Sequence, residues 1–144
     1  MDFLARREHS FYELQQKLLR KFPDVEHGRV DSVIARLRDE SLQSDERFVE
    51  AYVRYRRNRG FGNLHIKSDL ASRRVDESLI DSYLIEDDSW DEMVQLLIAK
   101  KLAGVQTLEY GSKPHRKLVN FLHSRGFTHD QVRKGLIPWL VSAY

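Results

Sequence analysis

Hydrophobic pairs recur at a fixed interval along this chain. Pairs with i, i+4 spacing start at positions 14, 66 and 118, so each begins 52 residues after the one before: Leu14/Leu18, Ile66/Leu70 and Leu118/Leu122. Other apolar positions keep the same interval: Val75 with Phe127, Ile80 with Val132, and Leu84 with Leu136. A period of tens of residues is typical of repeat architecture, in which neighbouring units cover each other's apolar faces. The pattern therefore predicts a repeated helical unit.

The first repeat, residues 1–43, is predicted to be abbreviated. Ser10 and Glu13 have the spacing of a capping box, which opens a helix that ends before Pro23. Apolar steps of three and four residues predict a second helix from about Gly28 to Glu40. The residues before His9 leave room only for a short lead-in helix.

The second repeat, residues 44–88, contains three predicted helices. Ser44-Asp45 caps the first of them, and Phe48, Tyr52 and Tyr55 share one helical face, which favours a core position for both tyrosines. Gly60-Phe61-Gly62 ends this helix, because glycine readily adopts the positive φ of a helix C-cap. The next helix contains Ile66 and Leu70, and Asp76 can start the third.

The third repeat, residues 89–144, follows the same order. Ser89/Glu92 and Thr128/Gln131 have capping-box spacing, and Pro114 suits the first turn of the helix between them. The final helix is predicted to run on towards Leu140, with Pro138 kinking or ending it. No alternation of period two is long enough to predict a strand. The predicted fold class is all-α: three tandem three-helix, helix-turn-helix-like repeats in an elongated, curved array.

Composition narrows the class of protein. The 144 residues are 32% charged and 41% hydrophobic, which together with the periodic apolar positions is typical of a folded helical protein. The chain has no cysteine, which excludes disulfides and thiolate metal sites. No apolar run reaches the roughly 18 residues that a membrane span needs, and the start lacks a signal-peptide core. We expect a cytoplasmic monomer with no membrane association.

Charge is distributed in blocks that the net charge of +2 conceals. Residues 52–74 contain seven basic and one acidic side chain, whereas residues 76–99 contain eight acidic and no basic ones. One interpretation is a dipolar surface that steers a partner of mixed charge. The other is that the opposite patches neutralise each other across neighbouring helices.

The sequence contains little that indicates catalysis. Gly60-Phe61-Gly62 is half of a dinucleotide fingerprint but follows a predicted helix, so helix capping explains it better. The six histidines form no i, i+4 pair and no His-Glu-x-x-His motif. The acidic stretch Glu86-Asp87-Asp88 lacks the glycine and spacing of an EF-hand loop. We expect no enzyme activity, no metal and no cofactor.

Basic residues are the better functional candidates, because guanidinium and ammonium groups bind carboxylates and phosphates. Arg54 and Arg57 are predicted to lie on an exposed arc and are the strongest of them. Lys21, Arg73 and Arg125 recur at the ends of equivalent helices, where a cation interacts with the helix dipole, so their recurrence is assigned mainly to structure. The candidate contact residues are Arg54, Arg56, Arg57, Arg59, Lys67, Arg73, Arg74, Lys113, Arg116, Lys117 and Arg125.

The order of several motifs resembles the RecX family over almost the whole chain. The central stretch is Ser44-Asp45-Glu46-Arg47-Phe48, followed by Tyr52, Arg56, Gly60-Phe61-Gly62, Ile66, Asp69-Leu70 and Val75. The stretches Ser10 to Leu18 and Phe121 to Phe127 resemble the early and late helices of that family. Three positions depart from its common pattern: Asn63 stands in place of Pro, His65 in place of Arg, and Arg74 in place of Gly.

The resemblance implies a regulator of the RecA recombinase. It implies binding along the groove of RecA filaments on single-stranded DNA, weak direct binding of DNA, and inhibition of recombination, ATP turnover and the SOS response. The alternatives are a sequence-independent DNA-binding helical module and an interaction scaffold. The acidic block argues against a continuous DNA track.

Overall fold

The computed structural model describes residues 7–85 and 88–141, and the secondary structure in them is almost entirely helical. The predicted lead-in helix around Leu4 and the end of the chain lie outside these residues. The described helices, which we number α1 to α8, are Phe11–Lys21, His27–Asp39, Asp45–Asn58, Asn63–Ser72, Glu77–Tyr83, Asp88–Leu102, Lys113–Ser124 and His129–Leu136. The all-α prediction is confirmed.

Local capping interactions set where several helices begin. The Ser10 and Thr128 side chains accept hydrogen bonds from the backbone N–H groups of Glu13 and Gln131, so two of the three predicted capping boxes are present. Ser112 caps α7, whose first turn contains Pro114. The predicted box at Ser89 is wrong, because α6 already begins at Asp88 and encloses it.

The repeat-equivalent apolar positions form the core. Leu14, Ile66, Leu70 and Leu122 are fully buried, and Leu18 and Leu118 are at most 7% exposed. The partners at the same interval are buried as well: Val75, Phe127, Ile80, Val132, Leu84 and Leu136. Burial of such side chains is the main stabilising term of a helical fold. The 52-residue interval therefore identifies core positions correctly.

The predicted core position of Tyr55 is wrong. Tyr55 is 52% exposed, although its helix also carries Phe48, which is 2% exposed. Val53 is buried instead, so the apolar face of α3 is rotated from the arc that the aromatic residues suggest. Tyr52 is half-buried, and its ring packs against that of Phe48 with 5.6 Å between the ring centroids.

The final helix ends before Pro138, in agreement with the predicted kink or end at that proline, but the predicted helical position of Leu140 is wrong. α8 ends at Leu136, and a short 3-10 helix, Ile137–Trp139, takes in Pro138. Leu140 is extended rather than helical: strand β2, Leu140–Val141, pairs in parallel with β1, Leu108–Glu109. A pair of two-residue strands is too short to produce an alternating pattern, which explains why the sequence did not reveal it.

The chain divides into two compact units. Unit 1 is formed by Met1–Tyr55 with Ser68–Tyr83, and unit 2 by Arg56–Lys67 with Leu84–Tyr144. Two of the divisions fall within α3 and α4 and the third falls at the end of α5, whereas the predicted repeat boundaries lie before α3 and just after the first residue of α6. The division into repeats at residues 1–43, 44–88 and 89–144 stays a prediction.

Candidate partner-binding surface

Unit 2 holds cations against two aromatic rings. The guanidinium groups of Arg56 and Arg125 lie 5.1 and 4.7 Å from the centroid of the Phe61 ring. Arg125 is also 5.2 Å from the Phe121 ring, and the Lys101 ammonium is 4.3 Å from the same ring. Aromatic faces attract cations through their quadrupole. We call Arg56, Phe61, Lys101, Phe121 and Arg125 the cation-aromatic cluster.

Two glycine turns position this cluster. The N–H of Gly62 donates to the carbonyl of Arg125 at 2.7 Å, and the N–H of Leu64 donates to the carbonyl of Gly126 at 3.0 Å. A Cβ on Gly62 would stand 2.6 Å from the backbone of Gly126 and Phe127. Gly62 therefore permits a close approach between the turn after α3 and the end of α7, which brings Arg125 to Phe61.

Arg57 contributes to packing in unit 2. Its guanidinium lies 4.6 Å from the ring of Trp90, which is 1% exposed and donates its indole N–H to the carbonyl of Ile85. Arg57 is half-buried, so its predicted place on an exposed arc is wrong. Arg54 does lie at the surface, with a side chain 67% exposed and 4.0 Å from the Glu50 carboxylate.

Arg73 is part of an ion-paired network in unit 1. Its Nε donates to Glu13 at 3.3 Å, its Nη1 donates to the carbonyl of Asp69 at 2.9 Å, and its guanidinium covers the Tyr52 ring. The bond to Asp69 satisfies a carbonyl in the last turn of α4, in agreement with the predicted helix-end role. Arg73 therefore has a structural function in addition to any contact with a partner.

Arg74 adopts a backbone conformation that side chains rarely take. Its φ is 53°, and its guanidinium lies 4.5 Å from the Tyr12 ring. The left-handed conformation costs roughly 1–2 kcal/mol for a residue with a Cβ. The Arg74 side chain is exposed, so the residue in this conformation presents a cation at the surface of unit 1.

The remaining predicted residues are distributed through unit 2. Lys113, Arg116 and Lys117 are exposed on the first turns of α7, and no ion pair of theirs joins them to another described residue. Cations near a helix N-terminus oppose the helix dipole, so this basic turn is not explained by helix stability. Arg59 is exposed and Lys67 half-buried, and the carbonyl of Arg59 accepts a hydrogen bond from Arg125.

His9 is a buried histidine with a defined contact at each ring nitrogen. It is 1% exposed, with Nε2 3.0 Å from the Lys17 ammonium and Nδ1 3.0 Å from the carbonyl of Arg7. Since an ammonium only donates, Nε2 accepts and the protonated Nδ1 donates. Burial, followed by the charges of Arg7 and Lys17, lowers the pKa of His9.

The described residues contain no group of three or more histidine and carboxylate side chains arranged to hold a metal. Their helices are all too short or too polar to cross a membrane.

Comparison with known proteins places this geometry in a family. The model of the second three-helix domain of RecX matches residues 44–84, which contain α3 to α5. "Regulatory protein RecX" of Vibrio campbellii is 32% identical over 137 residues, covering 94% of this chain and 86% of that protein. The namesake from Pseudomonas entomophila is 33% identical over 133 residues, covering 92% of this chain and 83% of that protein. The chain belongs to the RecX family.

The fold agrees with that of a solved RecX structure. The crystal structure of RecX from Lactobacillus salivarius matches with a TM-score of 0.77 at 23% identity, covering 93% of this chain and 87% of that one. At this identity the match concerns the fold alone. The relatives of higher identity are named regulatory proteins, so this is a family of regulators.

Asn63, His65 and Arg74, the three positions singled out in the sequence, each have a distinct environment. His65 stacks on Phe61 with 4.5 Å between ring centroids, so a further aromatic ring contacts the cation-aromatic cluster. The Asn63 side-chain oxygen is buried and finds no hydrogen-bond partner among the described residues. Arg74 has the positive φ that glycine adopts without strain.

Sequence reasoning missed several participants. Lys101 and Phe121 belong to the cation-aromatic cluster but were not among the candidates. Phe121 precedes Arg125 by four residues on α7, and this i, i+4 spacing is a signal that was available. The contact between Lys101 and Phe121 has no comparable pattern in the sequence, because the two residues are distant along the chain.

Proposed function

We propose that this chain is a negative modulator of the RecA recombinase, which binds RecA filaments on single-stranded DNA along their groove. Membership of the RecX family over more than nine-tenths of the chain carries this proposal. Binding inhibits recombination, ATP turnover and SOS induction without any catalytic step by this chain, which acts as a cytoplasmic monomer.

The repeats support the proposal. A RecA filament is periodic, and three helical repeats joined in one chain can engage several of its subunits. Each contact after the first is then intramolecular, so weak contacts add to a strong total affinity. The blocks of opposite charge suit a partner that presents both protein and nucleic acid.

The test measures ATP hydrolysis by RecA on single-stranded DNA with increasing amounts of this chain. Inhibition at amounts comparable to RecA is expected. Unchanged ATP hydrolysis at equimolar protein would contradict the proposal. A pull-down of RecA, with and without nucleotide and single-stranded DNA, then asks whether the assembled filament is preferred.

Arg54 allows a clean test of one predicted contact. Its side chain is largely exposed and its only described ion pair, with Glu50, is long, so Arg54→Glu should leave folding intact. The variant is expected to inhibit ATP hydrolysis by RecA less strongly than the unaltered chain does. Arg57→Glu is unsuitable alone, because it would remove the cation from Trp90. Arg36→Glu is a matched control, since the Arg36 side chain is 82% exposed on α2.

The basic turn of α7 favours a second candidate function, sequence-independent DNA binding. Lys113, Arg116 and Lys117 are exposed on one turn without ion pairs to described residues. Replacing all three with alanine would weaken binding to naked DNA and reduce the slope of log K against log salt by up to about 2–3. The control variant replaces Arg29, Arg36 and Arg38 of α2 with alanine, which removes the same number of positive charges.

A further inference from the structure

Unit 1 contains two cavities that share a wall. The first, of about 470 Å³, is lined by the aromatic side chains of Phe48, Tyr52 and Tyr55. The second, of about 390 Å³, is lined by polar side chains that include Lys17 and Arg20. Arg7, Glu13 and Arg73 line both cavities. The cavities are therefore neighbours, one aromatic and the other polar.

The shared wall is held by charged hydrogen bonds. Arg7 donates to both carboxylate oxygens of Glu13 at 3.1 Å, and Arg73 Nε donates to Glu13 at 3.3 Å. The backbone N–H of Ser10 donates to the same carboxylate at 3.2 Å. Burial acts to raise the pKa of Glu13, but these hydrogen bonds and the two arginine charges lower it overall. Glu13 thus fixes two guanidinium groups at the boundary.

The polar cavity has an excess of positive charge. Arg7, Lys17, Arg20 and Arg73 line it, whereas Glu13 is the one carboxylate among the described residues that do so. Arginine and lysine side chains converging on a small polar volume attract anions, and a phosphate can accept several of their hydrogen bonds at once. This cavity therefore fits a phosphate group.

The aromatic cavity offers one exposed ring, that of Tyr55, beside that charge. Tyr55 is 52% exposed, and Tyr52 is held in place because its hydroxyl donates to Asp69 at 2.8 Å. The Arg73 guanidinium lies 4.8 Å from the Tyr52 ring centroid, so the ring joins the two cavities. Nucleobases stack on such rings and need no particular sequence to do so.

We propose that the two cavities form one binding site for a nucleoside phosphate, with the base against the exposed Tyr55 ring and the phosphate at Lys17 and Arg20. An acidic peptide would satisfy the cations but would leave the aromatic cavity unused. The ligand is either a free nucleotide or one residue of a DNA single strand, which share this chemistry. The site goes beyond the proposed function, because it requires no RecA, and it is separate from the DNA-binding candidate, because its residues belong to unit 1 and not to α7.

The experiment follows backbone amide NMR signals of the full chain as ligand is added. The ligands are deoxyadenosine monophosphate, a short oligodeoxyadenylate, inorganic phosphate and oligoglutamate. Shifts are expected in α1, in the second half of α3 and around Arg73 with either adenine ligand. Tighter binding of the oligonucleotide identifies a DNA strand as the source, and tighter binding of the mononucleotide identifies a free nucleotide.

Three results would overturn the site. The first is an absence of shifts at these residues with both adenine ligands. The second is equal affinity for inorganic phosphate and the adenine ligands, which would leave no role for the aromatic cavity. The third is equal affinity for oligoglutamate, which would indicate an acidic protein partner. Since the sample contains no RecA, none of them bears on the proposed inhibition of RecA.

Variants separate the two halves of the site. Tyr55→Ala and Arg20→Ala alter exposed side chains, and each is expected to weaken binding of the adenine ligand at least about fivefold. Tyr55→Phe keeps the ring and should restore affinity. Tyr110→Ala and Arg36→Ala are controls at exposed positions outside both cavities, and neither should change it. Unchanged affinity in Tyr55→Ala would exclude stacking in the aromatic cavity.

Discussion

Individual residues in this chain serve packing and charge at once. Arg73 covers Tyr52, binds Glu13 and caps α4, while Arg57 covers the buried Trp90. The guanidinium group permits this, because its flat face packs on rings while its edge donates hydrogen bonds. A basic residue in the sequence is therefore a poor indicator of a free contact surface, and exposure decides which cations are available.

The buried His9 predicts a loss of stability in mild acid. Its pKa lies below the ordinary histidine value of 6.5, so at pH values below 6.5 the unfolded chain binds more protons than the folded one. The contribution of His9 to stability is therefore fully present above pH 6.5. It is lost as the pH falls towards the pKa of His9 in the folded chain. Urea unfolding at about pH 7.5 and about pH 5.5 measures this.

The replacement His9→Gln provides the comparison, because glutamine does not titrate. Arg7, Lys17 and Glu13 are the charged groups that act on His9, and the replacement leaves them in place. The variant should lose less stability than the original chain across the same pH interval. An equal loss in both would assign the acid sensitivity to other groups.

Gly62 lies so close to a neighbouring backbone segment that there is no space for a side chain. Gly62→Ala places a methyl group 2.6 Å from the backbone of Gly126 and Phe127, and is expected to destabilise the chain by about 1–3 kcal/mol in urea unfolding. Gly28→Ala is the control, since nothing lies within 4 Å of its Cβ and the site is helical. A change of similar size in both variants would contradict the close-approach explanation.

At the scale of elements, helix ends are the most informative features. Ser10, Ser112 and Thr128 cap their helices with side-chain oxygens, and Asp76 accepts hydrogen bonds from the N–H and hydroxyl of Ser78 at the start of α5. The bonds from Ser78 lower the pKa of Asp76. These interactions span three residues or fewer, which is why the sequence predicts them.

The first residue of α4 is a site for stabilisation. Asn63 buries a side-chain oxygen without a hydrogen-bond partner among the described residues, and proline is well suited to the first helical position. Asn63→Pro should raise the free energy of unfolding by about 0.5–1 kcal/mol, because it removes the unsatisfied oxygen and restricts the unfolded chain.

The adjacent residue supplies the control for that prediction. Leu64 donates its backbone N–H to the carbonyl of Gly126, and Leu64→Pro removes this bond. Destabilisation by about 1–3 kcal/mol is expected. If both proline variants destabilise the chain in urea unfolding, the first-turn geometry of α4 does not accept proline and the explanation for Asn63 is wrong.

At the scale of the whole molecule, apolar positions keep the repeat while charge does not. The apolar side chains paired at the 52-residue interval are buried, yet residues 52–74 are strongly basic and residues 76–99 are acidic. A core position must be apolar in every repeat, whereas a solvated position is free to change. The repeats therefore share a scaffold and differ in the surfaces that they present.

The shared scaffold predicts similar costs at equivalent positions. Leu14→Ala, Ile66→Ala and Leu118→Ala each truncate a side chain at most 5% exposed, and each should cost about 2–5 kcal/mol in denaturant unfolding. Leu64→Ala, at a position 52% exposed, should change stability by less than about 1 kcal/mol. A cost as small as that of Leu64→Ala at any of the three would remove that position from the repeat core.

The sequence alone determined the helical class, most helix ends, the repeated core positions and the family, because periodicity and capping are properties of neighbouring residues. Only the tertiary structure decided which cations meet which rings and where cavities form. The bonds between Arg73 and Glu13 and between Arg125 and Arg59 join residues 60 and 66 positions apart. No local pattern encodes such contacts, since they depend on how whole helices pack. The surfaces available to a partner follow from that packing.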